Sequence, residues 1–453
     1  MSEPKKLSLT VKVLIGMGLG IVLGLIINLS GLNTAGSFIN IYIVDGLLHV
    51  VGKMFVNALK MLVVPLVFFS LICGVCGIGN IKTLGRVGSK SFALYMLTTA
   101  IAIAAAISIA AVSGIGKGMN QVTDATFTGK EAPPLTEVFI NIIPKNPIHA
   151  MANGDMLPLI FFSILLGISM LMVGRKARGF IEGAEVANEI MMKMVNIIMS
   201  VAPYAVFALI AKSMADLGIE LLGQLVGYVL VLVSALMVHL FATLMIVLKV
   251  FSGLSPAIFL KKIRNAQVFA FSTASSNATI PITLRTVTER MGVNNSVASF
   301  TVPFGATINM DGTAIMQGVA TVFIANVYNV DLGISGYLTV ILMSVLASIG
   351  TAGVPGVGLI MLSMVFTQVG LPVEGIGLIL GVDRLMDMIR TAVNVSGDAV
   401  VSSIVAKSEG KMNLDIYADP DAGVSNTTQA IHIDETVEQE LADVVQQTHD
   451  RNE

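Results

Sequence analysis

Residues 383–398 read DRLMDMIRTAVNVSGD. Five charges, Asp383, Arg384, Asp387, Arg390 and Asp398, sit between two apolar runs, Ile376 to Val382 and Ala399 to Ala406. An ionisable side chain at bilayer depth costs several kcal/mol, so such residues face an interior and mark a site or a pathway. Helical spacing puts positions 383, 387, 390, 394 and 398 on one face, because side chains three and four apart stack. That face reads Asp, Asp, Arg, Asn, Asp. It is a buried polar seam suited to a charged solute or an ion. Internal salt bridges that only glue helices together would need fewer charges.

The flanking chain fits a lipid setting. Of 453 residues, 55% are hydrophobic and 12% charged, with mean hydropathy +0.84. A soluble domain carries about twice that charged fraction. Many apolar runs approach or exceed the ~20 residues that span a bilayer. The formal net charge of −2 argues against nucleic acid as a partner. Lys5 and Lys6 precede a long apolar run without a small-residue cleavage site, which predicts a retained first helix rather than a signal peptide. Cys73 and Cys76 form C-G-V-C with neither a βαβ context nor two further ligands, and read as packing residues.

Spanning segments are expected at Val11 to Leu29, Leu47 to Ile78, Ser91 to Val112, Leu157 to Val173, Ile190 to Met214 and Leu222 to Val250. In the first, Gly16, Gly20 and Gly24 recur every four residues. Such a ridge permits close helix approach, either within the chain or between copies. Lys117 to Asn153, with four prolines, is expected to be an extramembrane excursion with short helical pieces.

Beyond residue 250 two apolar stretches are broken at their centres by small polar residues. Ala266 to Leu284 is broken at STASSNATIP and Val340 to Phe366 at SIGTAGVPGVG. Each precedes a long polar-containing segment, Val297 to Val327 and Ile376 to Ala406. Paired interrupted segments are the mark of an inverted-repeat transporter with its site at the interruptions. Irregular backbone at that depth is tolerated only where it is buried or lines a cavity. Lysines and arginines cluster in alternate loops: Lys5, Lys6 and Lys12; Lys82, Arg86 and Lys90; Arg175, Lys176 and Arg178; Lys261, Lys262 and Arg264; Lys407 and Lys411. The positive-inside rule then predicts an all-α polytopic protein with cytoplasmic termini, eight spans and two re-entrant hairpins. Beyond Met412 the chain turns acidic and is expected to be a flexible tail.

Asn309, Asp311 and Thr313, in NMDGT, offer hard oxygens for a small cation. Freed carbonyls of a local unwinding would add to them, the alternative being an Asx-type kink. Asn394 and Asp398 repeat the theme one turn apart. Tyr95, Thr98 and Thr99 form a hydroxyl cluster that by itself is more simply explained by bonds to its own helix. Arg390 suits a substrate carboxylate, since its fork matches that geometry. Asp387 suits an ammonium group. Together they would read an amino acid with a second carboxylate, and they can pair with each other when no ligand is bound. His49 and His239 stand alone among apolar residues and read as packing or hydrogen-bonded groups rather than proton relays.

SSNATIP, NMDGT, GTAGVPG and DMIRTAVNVSGD, with the proline-rich IIPKNPIHAMANGDMLP, carry a resemblance. The chain resembles the dicarboxylate/amino acid:cation symporters, the family of sodium- or proton-coupled glutamate and aspartate transporters, from its first helix to about Lys411. The resemblance implies an elevator-type homotrimer in the cell (inner) membrane, with aspartate or glutamate as substrate. Residues 1–10 would be a cytoplasmic N-terminus. Residues 11–220 would be mainly scaffold (spans one, two, four and five), with span three (91–112) belonging to the transport domain. Residues 221–411 would form the transport core, with hairpins at about 258–290 and 338–370, helix seven at about 297–327 and helix eight at about 374–406. Residues 412–453 would be the tail.

Carried over by position, the resemblance implies substrate contacts from Ser276, Thr313, Val354, Gly358, Asp387, Arg390, Thr391 and Asn394. Three sodium sets are implied in the same way: Gly305, Asn309, Asn394 and Asp398; Thr307, Ser348, Ile349 and Thr351; and Tyr95, Thr98, Thr99, Asn309 and Asp311. No organic cofactor is implied. One departure stands out. Archaeal members place an Arg just before the hairpin serines, where this chain has Ala274; vertebrate members place one immediately after the last-helix Asp, where it has Met388. Arg384, one turn before Asp387, is expected to supply that charge. Neutral amino acids and C4-dicarboxylates are the alternative substrates. Asp387 argues against the second and Arg390 against the first. An intramembrane enzyme would need a motif such as H-E-x-x-H or G-x-S-x-G, and the sequence has neither. A channel is the remaining class.

Overall fold

The computed structural model describes residues 9–76, 84–118, 140, 142–349, 351, 353 and 355–423. Those residues form helices throughout, with one isolated bridge between Val293 and Met412. Among the described residues, five stretches are long and apolar enough to cross a membrane by length and composition: Val11–Leu29, Ile39–Cys76, Arg86–Ser113, Pro158–Ser200 and Gly223–Ser252. Two shorter apolar helices are Gly333–Ser348 and Val357–Gln368.

Helix α1 (Leu9–Leu29) lies along α7 (Ala202–Leu217). The glycine ridge makes this possible. A Cβ at Gly16 would overlap the Pro203 carbonyl oxygen, and one at Gly24 would lie 2.5 Å from that of Ala211. The ridge therefore serves a contact inside the chain. Helix α2 (His49–Cys76) packs on α5 (Met156–Val173), α6 (Arg178–Ser200) and α7. The segment expected as one helix over Ile190 to Met214 is divided at Val201 between α6 and α7. Pro203, in the first turn of α7, has no N–H to continue α6. The short α4 (Pro147–Asn153) is capped by Asn146, whose side chain accepts from Ile148 N and His149 N. The greater part of the excursion around it lies outside the described residues.

Helix α16 (Ile376–Ser408) is the centre of a second group of helices: α3 (Ser89–Ser113), α8 (Ile219–Val238), α9 (Leu244–Ser252), α10 (Pro256–Thr273), α12 (Asn295–Ile308) and α13 (Asp311–Val327) all pack on it, as do α1 and α7. From Arg390 to Ala406 the residues of α16 are buried but for Ala392, and almost every residue of α13 is buried. A helix buried all round belongs at the centre of its body. Helices α12 and α13 are one expected segment, broken at Asn309 and Met310, whose backbones leave the helical region at φ/ψ −95°/95° and −119°/46°. The interrupted stretches resolve into helix pairs, α10 with α11 (Ser276–Arg285) and α14 (Gly333–Ser348) with α15 (Val357–Gln368). Their tips meet. The Ser275 hydroxyl donates to Gly353 O at 2.7 Å, and Asn277 N donates to the same oxygen at 3.1 Å.

The chain after α16 does not leave the body at once. Asn413 N donates to Gly292 O at 2.7 Å, and the short α17 (Leu414–Ala418) comes next. The tail expected from residue 412 thus begins as a docked strap, and its part beyond residue 423 lies outside the described residues.

Candidate functional site

The site is built where the α12–α13 break, the α15 start and the middle of α16 converge. Gly312 has no Cβ because Arg390 O lies 2.6 Å from where one would be. That closeness lets Gly312 N donate to Asn394 Oδ1 at 2.7 Å. Gly358 does the same for α15: a Cβ there would lie 3.3 Å from Thr313 Cγ2 and 3.4 Å from Arg390 Nη2.

Arg390 is fully buried. Its Nη1 donates to Asp383 Oδ1 at 2.7 Å and its Nη2 to Asp387 Oδ1 at 2.9 Å. The charge is thus held by two carboxylates on its own helix. Its Nε has no hydrogen-bond partner among the described residues. Arg384 Nη1 lies 3.7 Å from Asp387 Oδ2, so the arginine off the common face does address the expected ammonium-binding carboxylate. The Thr391 hydroxyl donates to Asp387 O at 2.7 Å. Ser276 is buried at the hairpin tip beside Gly353.

One turn further along α16 the chemistry changes to oxygen ligands. Asn309 Nδ2 donates to Asp398 Oδ1 at 2.9 Å and to Asn394 O at 3.1 Å. Asn309 Oδ1 is buried without a partner among the described residues. A Cβ on Gly305 would overlap Asp398 Oδ1 and lie 2.6 Å from Tyr95 Oη, so these three residues close on one point. Asp311 is fully buried. It takes the Thr99 hydroxyl at 2.6 Å and the Thr98 hydroxyl at 3.4 Å on Oδ1, with His239 Nε2 3.0 Å from Oδ2.

Most expected site residues therefore come together. Thr313, Gly358, Asp387, Arg390, Thr391 and Asn394 form one group. Gly305, Asn309 and Asp398 adjoin it, with Tyr95, Thr98, Thr99 and Asp311 behind. In the set Thr307, Ser348, Ile349 and Thr351, Thr351 N donates to Ser348 O at 3.4 Å, but no side-chain hydrogen bond joins the four among the described residues. Each of its hydroxyls turns back on its own helix, Thr307 to Phe304 O, Ser348 to Val345 O and Thr351 to Ala347 O. Gly353 nonetheless brings this tip against the end of α12, 2.9 Å from Ala306 O to where its Cβ would be. Val354 lies outside the described residues.

Three participants carried no role in the sequence. Asp383 shares the polar face and sits seven residues before Arg390, two turns away, and that spacing was the available signal. Ser275 bridges the tips through the serine preceding the assigned one. His239 is hydrogen-bonded, as one of its sequence readings allowed, but to a cation-set residue 72 positions away, which local pattern does not reveal.

The family model for the sodium:dicarboxylate symporter family matches residues 9–408. The proton/sodium-glutamate symport protein of Bacillus caldotenax is 34% identical over 418 residues, covering 90% of this chain and 96% of that one. The proton/glutamate-aspartate symporter of Escherichia coli (strain K12) is 34% identical over 420 residues, covering 90% and 94%. A C4-dicarboxylate transport protein of Bacillus subtilis (strain 168) is 32% identical over 370 residues, covering 80% and 87%.

Proposed function

The chain belongs to the sodium:dicarboxylate symporter family, and on that premise we propose that it carries L-aspartate or L-glutamate into the cell together with sodium ions. Family membership makes it a membrane transporter rather than an enzyme.

The observation that carries the substrate class is Arg390, fully buried between Asp383 and Asp387. Burying an unpaired guanidinium would be prohibitive, and breaking a buried pair by removing one partner costs about 3–5 kcal/mol. The internal carboxylates meet that need. An acidic amino acid can take over part of that pairing. Its side-chain carboxylate takes the Arg390 fork, its ammonium takes Asp387, and Asp383 keeps a share of Arg390. A C4-dicarboxylate offers no ammonium to Asp387, and a neutral side chain offers no anion to Arg390.

The carboxylates of Asp311 and Asp398 support sodium as the co-substrate. Both are buried, and the partners found for them are hydroxyl, amide and imidazole groups. A small cation among them, with Asn309 Oδ1, would neutralise charge that neutral donors leave in place. We assign the three sodium sets as given by position, with Ser276, Thr313, Val354, Gly358, Asp387, Arg390, Thr391 and Asn394 on the substrate. Coupling arises from shared parts. Asn394 gives its carbonyl to Asn309 and its side chain to Gly312 N, so ordering the cation ligands orders the substrate ligands.

We further propose a homotrimer with eight spans, two re-entrant hairpins and both termini cytoplasmic. In it α1, α2, α5, α6 and α7 form the scaffold, and the body around α16 slides as an elevator. The α14–α15 tip would close once substrate and sodium have neutralised the site.

The test is uptake of labelled aspartate by proteoliposomes under an inward sodium gradient, with a panel of unlabelled competitors. Saturable, sodium-dependent uptake blocked by aspartate or glutamate but not by succinate or serine is expected. Succinate as the strongest competitor would give the site to C4-dicarboxylates, and uptake indifferent to sodium would remove the cation assignment.

A further inference from the structure

Asp311 sits behind the substrate site and is not free to turn. Both of its oxygens are engaged, Oδ1 by the hydroxyls of Thr98 and Thr99 and Oδ2 by His239. The threonines belong to the implied cation set. His239 does not, and it approaches from a different helix.

His239 opens a π-helical turn, His239–Thr243, inserted between α8 and α9. Single π turns inside α-helices recur at functional sites, because the extra residue re-aims the side chains of the adjoining turn. His239 is 1% exposed and Asp311 fully buried, so the contact is shielded from water. The ring Nδ1 has no partner among the described residues. The geometry lets Nε2 donate to Asp311 Oδ2.

The surroundings show what the contact is for. On the α16 side of Asp311 a Cβ at Gly397 would lie 3.4 Å from Asp311 Oδ2 and 2.5 Å from Asn309 Nδ2. A glycine keeps that flank clear. Asn309 Oδ1, on the same residue, is a buried acceptor with nothing to accept from among the described residues. An imidazole N–H at Oδ2 holds the carboxylate plane. A lysine or arginine in that place would occupy the charge instead and compete with any incoming cation.

We infer that His239 is a positioning residue for the cation site, holding the Asp311 carboxylate in the orientation in which it binds sodium. The inference rests on the sodium reading above. Outer partners of metal-ligating groups fix ligand orientation, and losing one typically costs about 10- to 100-fold in metal affinity.

The test compares His239→Gln, which keeps an N–H donor of similar reach, with His239→Met, which keeps bulk and removes the donor. Two readouts are taken on the full-length protein. One is the half-saturating sodium concentration for aspartate uptake, with the aspartate KM at saturating sodium. The other is the sodium-induced rise in melting temperature of purified, substrate-free protein. His239→Met should raise the half-saturating sodium concentration about 10- to 100-fold and shift the sodium dependence of melting to the same degree. The aspartate KM at saturating sodium should stay within about twofold, and His239→Gln should restore most of the sodium affinity. Should His239→Met not accumulate as folded protein, His239→Leu is read in the same way. Unshifted sodium dependence in the donor-less variant, or equal shifts in the Gln and Met variants, overturns the inference while the sodium reading stands. So does a KM rise at saturating sodium as large as the sodium shift. Wild-type protein that neither transports with sodium nor is stabilised by it overturns both.

Discussion

Arg390 and Lys262 are both fully buried cations, and they are held in opposite ways. Arg390 lies between two carboxylates. Lys262, in α10, donates to the backbone carbonyls of Arg290 and Ile416, the latter at 2.6 Å, and faces the Tyr417 ring at 5.6 Å. Arg290 Nη1 returns a bond to Lys262 O at 3.1 Å. Backbone carbonyls are fixed dipoles that no solute can displace. The lysine is therefore a strut, joining the base of the α10–α11 pair to the strap after α16, with the Tyr417 hydroxyl on Ser255 O at 2.9 Å as a second tie. Carboxylates are mobile anions that another anion can replace in kind. On the proposed substrate reading the same burial makes a permanent joint in one place and an exchangeable one in the other, and the ligand type decides which.

The largest effect is expected where the exchange is broken. Arg390→Thr or Arg390→Cys leaves Asp383 and Asp387 facing each other with Arg384 the nearer cation, and removes the anion receptor. A loss of about 3–5 kcal/mol corresponds to at least about 100-fold in aspartate affinity. Uptake of serine or alanine should appear in its place. Unchanged aspartate uptake with no gain for neutral amino acids would refute the assignment. Lys262→Met should act on the other side of the comparison. Two part-buried carbonyls lose their donor, at up to roughly 1–3 kcal/mol for each unsatisfied group, so thermal stability should fall by several degrees. Aspartate KM and sodium dependence should hold. A changed sodium or substrate affinity would show that the strut also shapes the site, and the contrast would dissolve.

How far the sequence reached obeys the same division. The exchangeable site was legible because its parts are charges and amides at helical spacing in an otherwise apolar chain, as Asp387, Arg390, Asn394 and Asp398 are. The α12–α13 break was legible because Asn309, Asp311 and Gly312 disfavour continuous helix in an apolar segment. The strut was not, because its ligands are backbone carbonyls, which any residue supplies. Nor was the contact of His239 with Asp311, which depends on a π turn that hydropathy does not register. The division of the expected fifth span at Val201 turns on Pro203, a residue that long hydrophobic runs often tolerate. The glycine ridge of α1 was visible, but its partner could only be found by packing α7 against it.

Arg384 gives a smaller expected effect. Its side chain is 17% exposed, with Nη1 3.7 Å from Asp387 Oδ2, a distance at which water screens part of the attraction. Arg384→Ala should weaken aspartate affinity or its sodium coupling by about tenfold or less. Wild-type uptake and ion dependence in that variant would leave Ala274 and Met388 as departures without compensation.

The smallest expected effect lies where the proposed scaffold meets the proposed moving helices. Lys53 of α2 meets Glu374, just before α16, at 2.9 Å, with side chains 39% and 41% exposed. Exposed pairs contribute about 0.2–1 kcal/mol. On the elevator reading this pair joins scaffold to moving body and must part in each cycle, so its strength enters the barrier to movement rather than the affinity for substrate. Lys53→Ala and Glu374→Ala should each change the maximal uptake rate by no more than about fivefold, with aspartate KM unchanged. The double variant should match Glu374→Ala, in which the contact with Lys53 is already absent. Higher salt should narrow the difference from wild type, because exposed pairs are screened. A change in KM, or additive effects in the double variant, would place these residues outside the moving interface and take away the contrast between a joint that slides and the two buried joints that do not.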